Sequence, residues 1–155
     1  MKTITSIILF MFLCWGCAHS TDPDYYYQLK ASKTSDGASY TLTINKNIFQ
    51  LTDSLKIKFE VENLSIFPKR YDFNNIQQFG FKLTDESGNV ALFYPMIVSP
   101  ALSHFILQSG QSKNFSISYL FKDHNGNFIS QGNYNLITYL MDGNSPKVGL
   151  RILVK

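Results

Sequence analysis

Cysteine is scarce in this chain: its 155 residues hold two, Cys14 and Cys17, both near the N-terminus. No disulfide framework can therefore staple the body. Charged residues make up only 16% of the sequence, the formal net charge is +3, and no run of Lys or Arg occurs. That pattern argues against a phosphate-tracking surface and against nucleic acid as a partner. No apolar run reaches the about 20 residues that a membrane-spanning helix needs. No segment with helical periodicity is long enough to build a βαβ unit. A glycine-rich phosphate loop and a Gly-x-Ser-x-Gly nucleophile elbow are both missing. Tryptophan occurs once, at Trp15. What the chain does have is aromatic residues, 13 Phe and 9 Tyr, which suit the half-buried surface of pleated strands. Its length fits one domain, and a domain of this size buries roughly two-thirds of its unfolded surface, enough to fold without a metal or a disulfide.

The N-terminus sets an expectation about compartment. Met1-Lys2-Thr3 is followed by an apolar run over residues 4–13, the make-up of a secretory signal peptide. Cys14-Trp15-Gly16-Cys17 closes the run. A small residue just before a cysteine at this point resembles the lipobox of bacterial lipoproteins. The resemblance implies cleavage before Cys17 and diacylation of its sulfur with chains such as palmitate. Two acyl chains give stable anchoring where one would not. The expected organisation is thus a signal peptide at 1–16, a polar tether at 17–38 and a folded domain at 39–155. The expected location is the bacterial cell envelope, with the membrane and its face left open. Tyr25-Tyr26-Tyr27 interrupts the tether and reads either as an extended segment docking on the domain or as an aromatic contact patch.

The body alternates with period 2 again and again. Leu55, Ile57, Phe59 and Val61 alternate with Lys56, Lys58, Glu60 and Glu62, giving one apolar and one charged face. Tyr40, Leu42 and Ile44 do the same, as do Phe79, Phe81 and Leu83, then Phe115, Ile117 and Tyr119, and finally Val148, Leu150, Ile152 and Val154. Pro95 ends a strand through Val90, Leu92 and Tyr94, because proline cannot donate to a ladder. Residues 95–110 look irregular, with one helical turn expected over 100–105. Turn signals separate the strands at Asp85-Glu86-Ser87-Gly88, Asp123-His124-Asn125-Gly126 and Asp142-Gly143-Asn144. Short alternating strands with such punctuation predict an all-β fold, an immunoglobulin-like Greek-key β-sandwich of seven to eight strands. Gly132-Asn133-Tyr134 opens the penultimate strand two residues before the core position Leu136, the place of the tyrosine corner in such sandwiches.

These residues resemble the BsuPI-type intracellular proteinase inhibitor domain over residues 39–142. The similarity is carried by the charged-apolar strand ending at Asn63, by Tyr71-Asp72-Phe73, and by Gln77-Gln78 before Phe79, Phe81 and Leu83. Asp85 and Gly88 in the hairpin, Leu107-Gln108-Ser109-Gly110-Gln111-Ser112 and Gly132-Asn133-Tyr134 complete it. The resemblance implies an immunoglobulin-like fold and a protein partner of the serine proteinase class.

Catalytic and metal chemistry find little support in the residues. His104 and His124 stand twenty positions apart with no cysteine partner, unlike the closely spaced ligand pairs of zinc sites. Asp85 and Glu86 read as turn chemistry. The expectation is a protein without cofactor or metal, a binding module and not an enzyme. The candidate partner-binding residues are Phe93, Tyr94, Pro95, Met96 and Phe105, within a segment that also holds Ile97, Pro100 and Leu102. Loops on a rigid scaffold commonly carry function, and aromatics with methionine are enriched at interfaces. The same side chains would equally cap the core if the segment crosses between sheets. A structural or accessory lipoprotein subunit of an envelope complex, without inhibitory activity, is the alternative function.

Overall fold

A computed structural model describes residues 29–155; Cys17, His19 and Tyr25-Tyr26-Tyr27 lie outside the described residues. The described residues form eleven strands, β1 (Leu29–Ser35), β2 (Ala38–Ile44), β3 (Ile48–Phe49), β4 (Ser54–Asn63), β5 (Lys69–Phe73), β6 (Phe79–Thr84), β7 (Val90–Tyr94), β8 (Ser103–Leu107), β9 (Ser112–Leu120), β10 (Gly132–Leu140) and β11 (Val148–Val154). They build a four-stranded sheet in the order β1-β2-β4-β9, a five-stranded sheet in the order β3-β11-β10-β6-β7, and a two-stranded ribbon β5-β8. The two large sheets face each other as a β-sandwich. The orders β2-β4-β9 and β11-β10-β6-β7 are those of strands A-B-E and G-F-C-C′ in immunoglobulin-type domains.

Alternation along the strands decides which face is buried. On β4, Leu55, Ile57, Phe59 and Val61 are buried while Lys56 and Lys58 stay exposed. In register beside them sit Ile44, Leu42 and Tyr40 of β2, also buried. The other sheet contributes Phe81 and Leu83 of β6, Leu136 of β10 and Ile152 of β11. Aromatic rings run through the interior as a chain of contacts: Phe59 with Phe79 at 5.6 Å, Phe79 with Phe115 at 5.6 Å, and Phe115 with Phe105 at 6.2 Å. Phe105 continues to Tyr71 at 4.7 Å. Offset and tilted ring pairs of this kind add about 0.5–1.5 kcal/mol each beyond area burial.

Three expectations are corrected by this architecture. The described residues hold eleven strands rather than seven to eight. The expected boundary at residue 39 falls inside a hairpin, because β1 pairs along its whole length with β2, from Leu29 opposite Ile44 to Ser35 opposite Ala38. The turn is Asp36-Gly37, with φ of 48° and 67°. Positive φ at both central residues is the type I′ geometry that matches strand twist and selects Asp-Gly. Residues 100–105 form no helical turn, since Ser103–Leu107 is strand β8 paired antiparallel with β5.

The tyrosine corner is present as expected. The buried Tyr134 donates its hydroxyl to the Ser130 carbonyl at 2.7 Å.

Candidate binding surface

One end of the sandwich gathers the β1–β2 turn, the loop over residues 64–68, the loop over residues 95–102 and the β10–β11 turn. The backbone bonds that place them there are Leu64 N to the Gly37 carbonyl at 2.9 Å and Met141 N to the Gln78 carbonyl at 3.0 Å. The β5-β8 ribbon lies between the two loops: residues 64–68 lead into Lys69, and residues 95–102 lead into Ser103. Tyr71, Phe73, Phe105 and Leu107 point inward from this ribbon, while Arg70, His104 and Ile106 point outward.

The loop over residues 95–102 is braced from below. The Gln77 side-chain oxygen accepts from the Ser99 amide at 3.0 Å, and the Ser99 carbonyl accepts from the Ile76 amide at 3.3 Å. Ser103 donates its hydroxyl to the Asn75 carbonyl at 2.6 Å and accepts from Gln78 Nε2 at 3.3 Å. Pro95 is buried at the near end of the loop. With its base held, the loop raises aliphatic side chains into solvent, Ile97 at 80% exposure and Leu102 at 87%, with Met96 and Val98 beside them.

The neighbouring loop is organised by one buried amide. Asn63, fully buried at the end of β4, donates through Nδ2 to the carbonyls of Phe67 at 2.8 Å and Leu107 at 3.0 Å. Its Oδ1 accepts from the Ser65 amide at 3.0 Å and faces the Ser65 hydroxyl at 2.8 Å. This arrangement holds up Ile66 at 79% exposure and Phe67 at 70%. Buried polar groups satisfied in this way rigidify what they join.

The expected binding residues are therefore divided. Phe93 and Met96 are exposed, Phe93 on the outer face of β7 opposite Lys82. Tyr94 faces inward against Phe79 and Phe81, with ring centroids 6.3 and 6.0 Å away. Phe105 belongs to the core: it is 8% exposed, stacked on Tyr71 and Phe73, with the Lys113 ammonium 4.8 Å from its ring. Ile97 and Leu102 lie within the expected segment, whereas Ile66 and Phe67 are the residues that sequence reasoning missed, since exposure of an apolar side chain in a loop leaves no periodic signal.

Polar chemistry at this end is modest. A recess of about 280 Å³ is lined by Asp36, Tyr40, Lys69, Tyr71, Asp142 and Ser145, among others. Within it the Tyr40 and Tyr71 hydroxyls lie 3.3 Å apart. Burial, with help from Tyr40, pushes the Tyr71 phenol far above its ordinary range, so it keeps its proton. Ser145 donates to Asp142 at 2.5 Å, closing its own turn. Lys69 is bonded to the carboxylate and carbonyl of Asp36. On the ribbon's outer face Arg70 bonds Asp72 at 2.8 Å, which raises the guanidinium pKa and lowers that of the carboxyl. His124 sits exposed in a turn where Asp123 accepts from the Asn125 and Asn127 amides at 2.9 Å. Among the described residues, no three His, Cys, Asp or Glu side chains come together in a group that could hold a metal ion.

No family model and no curated protein matches this chain. Solved structures resemble it in fold at low identity. A β-glucosidase from Listeria innocua is 15% identical with a TM-score of 0.44, covering 83% of this chain and 16% of that one. The alkylpurine DNA glycosylase AlkC from Pseudomonas fluorescens is 9% identical with a TM-score of 0.47, covering 72% of this chain and 28% of that one. Spo0M, a sporulation control protein from Bacillus subtilis, is 12% identical with a TM-score of 0.50 over 78% of this chain and 50% of that one. The chain thus spans 16% of the β-glucosidase and half of Spo0M. The likeness to Spo0M is one of β-sandwich fold.

Proposed function

We propose that the protein is a lipid-anchored binding module of the bacterial cell envelope, and that its loop-bearing end grips a protein partner. The observation that carries this reading is the braced loop over residues 95–102, whose aliphatic side chains Ile97 and Leu102 stand in water while its base is held by Gln77, Asn75 and Ser103. An exposed apolar cluster on a rigid scaffold is the mark of an interaction site. Ordering such a loop before binding removes an entropic cost that would otherwise weaken the complex. The BsuPI resemblance names the partner class as a serine proteinase. The module works by occupying its partner, with no chemistry of its own. Gln77-Gln78, which helps carry that resemblance, is also the pair that braces the loop and its approach to β8.

The test is inhibition of a panel of subtilisin-like enzymes by the purified chain. The expected result is slowed cleavage of a reporter substrate with a dissociation constant below about 1 μM, in line with the tight complexes such inhibitors form over interfaces of standard size. Ile97→Asp with Leu102→Asp should remove inhibition by placing charges at the centre of the contact, and should leave the unfolding midpoint unchanged because both positions are solvent-exposed. Rapid digestion of the folded protein with no slowing of the reporter would overturn the inhibitor reading.

A further inference from the structure

Among the described residues, the two large sheets have four open edges, and three of them carry a feature that discourages another strand. β1 is polar and holds Lys30 and Lys33. β3 is two residues long. β7 meets β6 with a register shift at Leu83/Thr84 and stops at the buried Pro95. The fourth edge, β9, runs nine residues without proline and pairs in unbroken register with β4. Its one charged residue is Lys113. Natural edges are blunted by charge, proline, bulges or shortness, because a bare row of amide and carbonyl groups is a template for pairing.

The inner row of β9 is also unfinished. Phe115, Ile117 and Tyr119 are only partly buried, although their register partners on β4, Phe59, Ile57 and Leu55, are completely so. An open cleft of about 440 Å³ lies beside them, lined by Gln78, Phe79, Tyr94, Lys113, Phe115 and Ile117 among others. β8 reaches the start of this row through Phe105, whose ring lies 6.2 Å from Phe115 and 4.8 Å from the Lys113 ammonium, but its backbone pairs with β5 and not with β9.

We propose that β9 is a two-fold dimer edge, pairing antiparallel with β9 of a second copy about Ser116. The strand is self-complementary in that register, the one that overlaps all nine residues. Phe115 faces Ile117 of the second copy, and Lys113 faces its Tyr119, an aromatic–aliphatic and a cation–aromatic pair of the kinds that stabilise sheets. On the outer face Asn114 meets Ser118, and Ser116 meets itself. No like charges oppose each other. The two four-stranded sheets become one sheet of eight, and the partly covered inner row is closed. This inference stands apart from the inhibitor reading, since the loops that would hold a proteinase are on other elements.

Cysteine cross-linking of the full chain in intact cells tests it, because Cys14 and Cys17 are its sole native thiols and the unsubstituted chain serves as the control. Residues directly opposite in antiparallel strands have Cα atoms about 4.5–5.5 Å apart, within reach of a disulfide. Ser116→Cys should give a covalent dimer on mild oxidation about tenfold or more faster than Asn114→Cys or Ser118→Cys alone, since pairing raises the local thiol concentration. Co-expressed Asn114→Cys and Ser118→Cys chains should cross-link to each other. Ser116 is exposed, so Ser116→Lys should fold normally, yet shift the detergent-solubilised protein from dimer to monomer in sedimentation. Equal cross-linking at all three positions, or a monomeric unsubstituted protein that Ser116→Lys leaves unchanged, would overturn the proposal.

Discussion

At the scale of single residues, the groups that matter most are polar ones placed where water cannot reach them. Tyr134 packs its ring in the core and donates its hydroxyl to Ser130. Tyr134→Phe keeps the ring and strands the carbonyl, so it should cost about 1–3 kcal/mol in chemical denaturation; a cost near zero would mean that water replaces the bond freely. Asp53 makes a weaker statement that depends on pH. The Lys46 ammonium 2.6 Å from its Oδ2, together with the Gln50 amide, holds its carboxyl below the usual value. A carboxyl with a lowered folded-state pKa adds stability above its unfolded pKa of about 3.9, and that stability fades as the pH falls through the folded value. Both partners are partly exposed, so the effect is small and sensitive to salt. The midpoint difference between the unsubstituted protein and Asp53→Asn should therefore be present at pH 7 and vanish on acidification below about pH 4. A difference that persists in acid would assign it to packing.

At the scale of elements, the legible part was whatever a strand declares in its own residues. β2, β4, β6, β9, β10 and β11 each alternate long enough for the buried face to be read directly. The rest depends on partners distant in sequence. β5 and β8 are five residues each and are held by one another across some thirty positions, with Tyr71 opposite Phe105; neither has a pattern that would secure it alone. That is why Phe105 passed for a surface residue. β1 is too polar to look like a strand, and its evidence lay in the turn: Asp36-Gly37 joins two runs of equal length. Gly37 is left-handed, with φ of 67°, and a Cβ there would meet Ser65 Cβ at 3.3 Å. Gly37→Ala should therefore destabilise the domain by about 1–2 kcal/mol, the cost of holding a side-chain-bearing residue in this conformation. Unchanged stability would show that the hairpin tolerates another turn type.

At the scale of the whole molecule, the two ends of the sandwich have different neighbours. β1 begins at Leu29 opposite Ile44, at the end away from the Asp36-Gly37 turn. The loops over residues 64–68 and 95–102 lie at the turn end, tied there by the bond from Leu64 to Gly37 and from Met141 to Gln78. The described domain therefore receives the chain at one end and presents its exposed aliphatic side chains at the other. Eleven residues separate Cys17 from Leu29 in sequence, a span of at most about 40 Å when fully extended. In the lipoprotein reading this polarity turns the binding end away from the bilayer, so anchoring and partner binding are separable. Cys17→Ser should accordingly abolish labelling by fatty acid and lipoprotein processing, and release from the membrane should follow once the leader is otherwise removed, since stable attachment needs the two acyl chains. The same variant, purified without its leader, should retain the full affinity of the loop-bearing end for its partner. Fatty-acid labelling that survives the substitution would refute the anchor at Cys17, and a partner affinity that falls with the anchor would refute the separation of the two ends.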